Sequence, residues 1–273
     1  MSDSATREPE RPSANRVFAG AVRGLVWTYA SFAGSKLLVF VATVILARLL
    51  MPADFGQVAF ALVVISYLDT VGDLGISEAL IYKQDRVEDA ANITFIISLL
   101  TGAVWFLLIL AMAPLAAAFF KDPACEPILR AMAWVFVITA LGNTHDALLR
   151  RDLGFKQRAI PEFAQGLIKG IGSIVLALRG WGVWSLVWGH LIGAAVSTLA
   201  LWLIVPWRPR WQFAWDLARR MLRYGGQIVS VNVLGAITHH VDYLIVGRIL
   251  GSAALGFYIL AFRIPEVIIT MII

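Results

Sequence analysis

Residues 45–62 have the sequence ILARLLMPADFGQVAFAL, and a variant of this stretch, IVGRILGSAALGFYILAF, occurs at residues 245–262. Each copy reads as the end of an apolar helix, an Arg, a short turn and a Gly before a second apolar helix. A spacing this long predicts a duplicated half-protein rather than a solenoid; the alternative is a likeness of composition between two apolar hairpins. Without a gap, six of the eighteen aligned pairs are identical: Ile45/Ile245, Arg48/Arg248, Leu50/Leu250, Ala53/Ala253, Gly56/Gly256 and Ala61/Ala261.

The composition is that of a membrane protein. Hydrophobic residues make up 59 % of the chain and charged residues 15 %, against about 45–50 % and about 25 % in soluble proteins. Only helices and closed barrels satisfy their backbone polar groups in lipid, and long apolar runs without alternation favour helices. We therefore predict an all-α, polytopic membrane helix bundle.

Loop charges predict the orientation of this bundle. With the N-terminus in the cytoplasm, fifteen Lys and Arg residues flank the spans on the cytoplasmic side and at most five on the other side. The positive-inside rule then selects a cytoplasmic N-terminus. The same distribution explains the formal net charge of +5 without a nucleic-acid partner. The apolar runs predict eight spans, near residues 25–50, 56–80, 92–119, 128–149, 161–178, 181–205, 226–250 and 255–273.

Four segments follow from this topology. Six spans separate the two copies of the repeat, so both enter the membrane in the same direction, as in transporters with parallel repeats. A second lobe of six spans would lack about four of them here, which predicts a fragment or a truncated product. We expect a polar cytoplasmic tail over 1–23, a first lobe of six spans over 24–205, an amphipathic cytoplasmic linker over 206–225 and the start of a second lobe over 226–273.

Two further patterns predict packing and membrane contact. The stretches GLIKG (residues 166–170) and GHLIG (residues 189–193) have the small-residue spacing that lets helices approach closely. His145 and His190 stand alone and are expected to be packing or interface residues. The linker stretch 206–224 would lie on the cytoplasmic leaflet as a helix. Its apolar face would carry Trp211, Trp215, Ala218 and Leu222, with Arg219, Arg220 and Arg223 opposite.

Ionisable residues inside the predicted spans are the strongest functional signal, because each costs at least about 2.5 kcal/mol to insert. The cations would line a pocket for an anionic head group and offset phosphate charge. Internal ion pairs are the alternative, such as Lys36 with Asp69 or Asp73, and Arg263 with Glu266. The candidate cavity cations are Lys36, Lys169 and Arg263.

The buried carboxylates are candidates for coupling transport to a proton or Na⁺. Asp69, Asp73 and Asp242 lie within spans, where carboxylates buried together titrate abnormally. Helix-end capping is the alternative for Asp73. His239 and His240 project about 100° apart on a helix, so at most one shares a face with Asp242. We therefore predict no metal site and no cofactor, and the single Cys125 excludes an internal disulfide.

Three stretches resemble the polysaccharide-exporter flippases. They are PADFGQVAFALVVISYLDTVGDLGISEALI (residues 52–81), LLRRDLGFKQRA (residues 148–159) and VDYLIVGRILGSAALGFYILAFRIPE (residues 241–266). The flippases belong to the multidrug/oligosaccharidyl-lipid/polysaccharide exporter superfamily, and the sequence is most similar to the branch of colanic-acid and teichuronic-acid exporters. Most patterned positions look architectural: Phe55, Gly56, Asp73, Gly75, Arg151, Phe155, Asp242, Gly247, Arg248, Gly251, Gly256 and Tyr258.

This resemblance implies two six-helix lobes around a central cavity that opens to each side of the membrane in turn. It implies a substrate of oligosaccharide repeat units on undecaprenyl pyrophosphate, turned across the bacterial inner membrane. Membrane lipids, a polysaccharide polymerase and chain-length proteins are the implied partners. The lack of most of the second lobe is the chief departure from the family.

We therefore expect a flippase for lipid-linked oligosaccharides rather than an enzyme. A drug/cation antiporter on the same fold is the nearest alternative, and it would need an acidic cavity. A membrane transferase would need clustered carboxylates or histidines at one membrane face, whereas Asp85, Glu88 and Asp89 are typical of a solvated loop. An inactive fragment is the remaining alternative.

Overall fold

The computed structural model describes residues 39–72, 74–82 and 86–272, apart from the side chains of residues 70, 71, 155, 230–241, 263, 264 and 266–272. Every regular element in these residues is an α-helix, which confirms the all-α prediction. The helices are α1 Val39–Leu49, α2 Pro52–Gly72, α3 Ile76–Tyr82, α4 Val87–Phe120, α5 Cys125–Met132, α6 Trp134–Arg151, α7 Phe155–Leu178, α8 Val183–Ile204 and α9 Trp215–Ile272.

Five stretches of the described residues are long and apolar enough to cross a membrane. The chain is therefore a multi-pass membrane protein, while the total of eight spans stays a prediction. The predicted second span is divided between α2 and α3 by a turn at Leu74 and Gly75, both with positive φ. The five stretches are Val87–Phe120, Cys125–Arg151, Lys156–Leu178, Val183–Ile204 and Asp242–Phe262.

The start of α9 differs from the helix predicted over residues 206–224. Residues 205–214 are not helical, because Pro206 and Pro209 lack the backbone N–H that a helix interior needs. The helix begins at Trp215 and continues without a break through the predicted linker. Leu217, Ala218 and Met221 pack in the core, whereas Trp211 and Trp215 are exposed.

The helices pack around two main apolar cores. One core joins α3, α4, α6, α8 and the beginning of α9, with Ile76, Leu80 and Leu217 almost fully buried. The other joins α2, α4, α5, α6 and α8. The most extensive helix pairings are α2 with α9 and α7 with α8. The second of these pairings positions the candidate site.

The two copies of the repeat meet in a reciprocal contact. A Cβ added to Gly56 would overlap the backbone carbonyl of Ser252, and a Cβ added to Gly256 would overlap the carbonyl of Pro52. Pro52 and Ser252 are equivalent positions, as are Gly56 and Gly256, so one contact occurs twice with the roles of the copies exchanged. This is the contact pattern that a two-fold axis produces. The structure therefore supports a duplicated unit over a likeness of composition.

Candidate functional site

Lys169 and His190 meet between α7 and α8. Nζ of Lys169 lies 3.0 Å from Nδ1 of His190, and both residues are partly buried. The predicted small-residue stretches bring them together. A Cβ added to Gly189 would overlap Oγ of Ser173, and one added to Gly193 would lie 3.0 Å from the carbonyl oxygen of Gln165. The two glycines let α8 pack closely on α7, and this packing places the imidazole beside the amine.

The pair lines a cavity of about 170 Å³, here named the Lys169 cavity. Both copies of the repeat contribute to its wall: Leu46, Val58 and Leu62 come from the first copy, and Ile259 and Leu260 from the second. The cavity therefore lies where the two copies adjoin α7 and α8. The rest of its lining is Val39, Ala42, Thr43, Gly166, Lys169, Gly170, Ser173, Leu186 and His190.

This arrangement suits an anionic group. The ammonium of Lys169 has three donors, and no carboxylate is among the described residues that line the cavity. The hydroxyl of Thr43 donates to the carbonyl oxygen of Val39 at 2.8 Å, and Ser173 supplies a second hydroxyl. The hydrogen of the Thr43 hydroxyl is thus used within α1, which leaves the ammonium of Lys169 and the hydroxyl of Ser173 as donors to a phosphate oxygen. The positive charge disfavours an organic cation.

A second polar contact lies in α9, on either side of its interruption. Gly251 has φ 86° and ψ 178°, values outside the helical region. Tyr258 lies beyond this break, and its hydroxyl donates to Oδ2 of Asp242 at 2.8 Å. Tyr243 packs edge-on against Tyr258, with ring centroids 5.7 Å apart. Asp242, a predicted ion-coupling residue, is thus held by a hydroxyl donor.

Of the other predicted site residues, Asp69 and Asp242 have described side chains, and neither lines the Lys169 cavity. Asp69 is exposed near the end of α2 and is not among the residues that line the Lys169 cavity. Lys36, Asp73 and the side chain of Arg263 lie outside the described residues. Within the described part of the chain, no group of three or more His, Cys, Asp or Glu side chains is placed to hold a metal ion.

Sequence reasoning missed His190, which it assigned to packing. An isolated histidine carries no signal of its own. The signal lies in the two small-residue stretches, because Lys169 belongs to the first and His190 to the second. The other lone histidine, His145, is fully buried, and its ring centroid lies 4.7 Å from that of Trp202. That environment agrees with a packing role.

Charged side chains join three helices at the face predicted to be cytoplasmic. Oδ1 of Asp146 accepts from Nε of Arg158 at 2.9 Å, and Oδ2 lies 3.0 Å from Nε of Arg150. Arg150 also lies 3.8 Å from Glu78 of α3. This network ties α6 to α3 and α7 beside the motif LLRRDLGFKQRA, which supports an architectural role for that motif.

Comparison with known proteins gives a consistent result. A family model described as polysaccharide biosynthesis protein matches residues 45–273. The succinoglycan biosynthesis transport protein ExoT of Rhizobium meliloti (strain 1021) is 26 % identical over 245 residues, which cover 90 % of this chain and 50 % of that protein. The lipopolysaccharide biosynthesis protein WzxC of Escherichia coli (strain K12) is 23 % identical over 226 residues, 82 % of this chain and 46 % of the relative.

A third relative is the teichuronic acid biosynthesis protein TuaB of Bacillus subtilis (strain 168). It is 23 % identical over 206 residues, 74 % of this chain and 42 % of TuaB. The chain thus spans about half the length of these curated relatives. No solved structure matches the chain significantly.

Proposed function

The chain belongs to the polysaccharide biosynthesis protein family, and we propose that it moves lipid-linked oligosaccharide repeat units across the bacterial inner membrane. Family membership confirms the resemblance to polysaccharide exporters. The proposed substrate is an oligosaccharide on undecaprenyl pyrophosphate, and the proposed mode of action is alternating access between two lobes. The transport role named for ExoT agrees with a carrier rather than an enzyme.

The Lys169 cavity is the observation that carries this proposal. Sugar hydroxyls and a pyrophosphate cannot enter hydrocarbon without large desolvation costs, so a flippase needs a polar cavity at membrane depth. The cavity is formed by both copies of the repeat and is lined by the ammonium of Lys169. A charge-assisted hydrogen bond from that ammonium would offset part of the phosphate charge. Lys36, three positions before Val39 of the cavity wall, is a proposed second cation.

The reciprocal glycine contact supports alternating access. Gly56 and Gly256 allow the two copies to touch at backbone distance, and the predicted topology puts this contact on the periplasmic side. In this arrangement the halves are closed toward the periplasm. Release of the sugar to that side would require the contact between Gly56 and Ser252 to open.

The partners and the location follow from the same proposal. The flippase would work in the inner membrane with its N-terminus in the cytoplasm, and its products would pass to a polysaccharide polymerase and chain-length proteins. Membrane lipids would surround the exposed apolar faces of α4 and α8.

A flipping assay with the full chain encoded by the gene tests this function. Proteoliposomes would contain fluorescently labelled undecaprenyl-pyrophosphate oligosaccharide, and an impermeant quencher would report the outer-leaflet fraction over time. We expect label to move between leaflets in vesicles with protein and not in protein-free vesicles. Equal rates in the two preparations would contradict the proposal. Uptake of an organic cation without movement of the lipid would favour the antiporter instead.

A further inference from the structure

The hydrogen bond between Lys169 and His190 determines where the imidazole proton lies before an anion binds. A charged Lys has donors and no acceptor. Nδ1 of His190, 3.0 Å from Nζ of Lys169, is therefore the acceptor and carries no proton. The imidazole is neutral, with its proton on Nε2. Lys169 alone then supplies the positive charge of this pair.

The other elements around His190 add no charge to the described cavity wall. The first copy of the repeat faces it with Leu46, Val58 and Leu62, the second with Ile259 and Leu260. Residues 39–43 of α1 contribute apolar side chains and the hydroxyl of Thr43. Lys169 on α7 and His190 on α8 are thus the titratable side chains in the described lining.

A pyrophosphate that joins a lipid to a sugar is a diester with two negative charges. The ammonium of Lys169 offsets one of them. Within the described lining of the cavity no second cation faces the other charge, and in a cavity of low dielectric electrostatic energies are far larger than in water. The imidazole of His190, already in contact with Lys169, is the neighbouring group that can become a cation by taking up a proton.

This inference rests on the proposed function: we propose that, when a pyrophosphate diester binds in the Lys169 cavity, Nδ1 of His190 takes up one proton from the acid form of the solvent buffer, which leaves the buffer base in solution. The new Nδ1–H then donates to one phosphate oxygen. The ammonium of Lys169, released from the imidazole, donates to another. The cations of Lys169 and His190 then face one dianion, so these two side chains together balance its charge.

Isothermal titration calorimetry of the full chain in lipid nanodiscs tests this linkage. The probe is geranyl-pyrophosphoryl-glucose, a diester whose charges do not titrate near neutrality. Titrations at pH 7 in buffers of different ionisation enthalpy give the number of protons taken up per probe. We expect close to one proton for the wild-type chain, and a binding constant that rises by up to about tenfold for each unit that the pH falls.

His190→Gln is the matched variant, because the amide oxygen can still accept from Lys169 while the side chain cannot titrate. We expect this variant to bind the probe more weakly and without proton uptake. Binding to the wild-type chain without proton uptake would overturn the inference and leave the proposed function standing, as would equal uptake by His190→Gln. Failure of the wild-type chain to bind the probe in any buffer would contradict the proposed function and the inference together.

Discussion

Gly56 lies against the backbone of Ser252 so closely that a side chain at position 56 has no room. The equivalent contact of Gly256 with Pro52 has the same character. At these two positions the copies of the repeat therefore meet backbone to backbone. This relationship accounts for the presence of glycine at the same place in both copies.

A larger residue at position 56 should weaken the contact between the two copies of the repeat. We expect Gly56→Val to lower the free energy of unfolding by about 1–3 kcal/mol, because overpacking forces the backbones apart. The thermal unfolding midpoint of the purified protein measures this loss. Gly226→Ala is the matched control, since a Cβ at Gly226 meets no atom within 4 Å. If Gly56→Val has as high a thermal unfolding midpoint as Gly226→Ala, the close contact at Gly56 does not contribute to stability.

The packing of α8 on α7 should be required for the Lys169 cavity. In Gly193→Leu, the new side chain would collide with the carbonyl oxygen of Gln165 and with Lys169, whose Cβ lies 3.1 Å from an added Cβ. We expect binding of the diester probe to be lost and the thermal midpoint to fall. Gly172→Ala, where the nearest atom is 4.0 Å away, should bind as the wild type does. If Gly193→Leu binds the probe as the wild type does, the Lys169 cavity does not depend on the packing of α8 on α7.

The ionic network of Asp146 should stabilise the packing of α6 against α3 and α7. Asp146→Asn removes the charge that faces Arg150 and Arg158. We expect a loss of about 1 kcal/mol, at the upper end for partly exposed ion pairs, seen as a lower thermal midpoint. Asp152→Asn should have little effect, because that carboxylate is mostly exposed. Equal midpoints for the two variants would show that the network is not structural.

Asp242 should couple flipping to an ion gradient. A proton or Na⁺ gradient supplies about 2.3 kcal/mol per charge for each 100 mV, and Asp242 is a partly buried carboxylate that accepts a hydrogen bond from Tyr258. We expect Asp242→Asn to flip more slowly than the wild type. Collapse of both gradients should lower the flipping rate of the wild type and leave the rate of Asp242→Asn unchanged. The initial flipping rate with and without ionophores measures this. If both ionophores leave the wild-type flipping rate unchanged, flipping is not coupled to an ion gradient.

The sequence predicted the features that depend on local pattern. Apolar runs gave the membrane helices, and the repeat pointed to Gly56 and Gly256, whose contact is reciprocal in the structure. The depth of Lys169 in the membrane stays a prediction from its position in an apolar run. Each of these rests on neighbours along the chain.

Contacts between helices could not be predicted from the sequence in the same way. The hydrogen bond between Lys169 and His190 depends on the register in which α8 packs on α7, and no local pattern specifies that register. The bond between Tyr258 and Asp242 depends on the break at Gly251. The start of α9 was misplaced because the amphipathic pattern of residues 206–224 was read without the effect of Pro206 and Pro209.

If Lys169 faces the substrate, the initial flipping rate of Lys169→Met in proteoliposomes should fall. Loss of a hydrogen bond from a charged donor, worth about 1.5–3 kcal/mol, should lower the rate by about tenfold or more, and Lys169→Arg should retain part of it. Lys156→Met, which removes an exposed lysine of the same helix, is the control and should flip at the wild-type rate. A Lys169→Met rate equal to that of Lys156→Met would show that Lys169 does not contact the substrate.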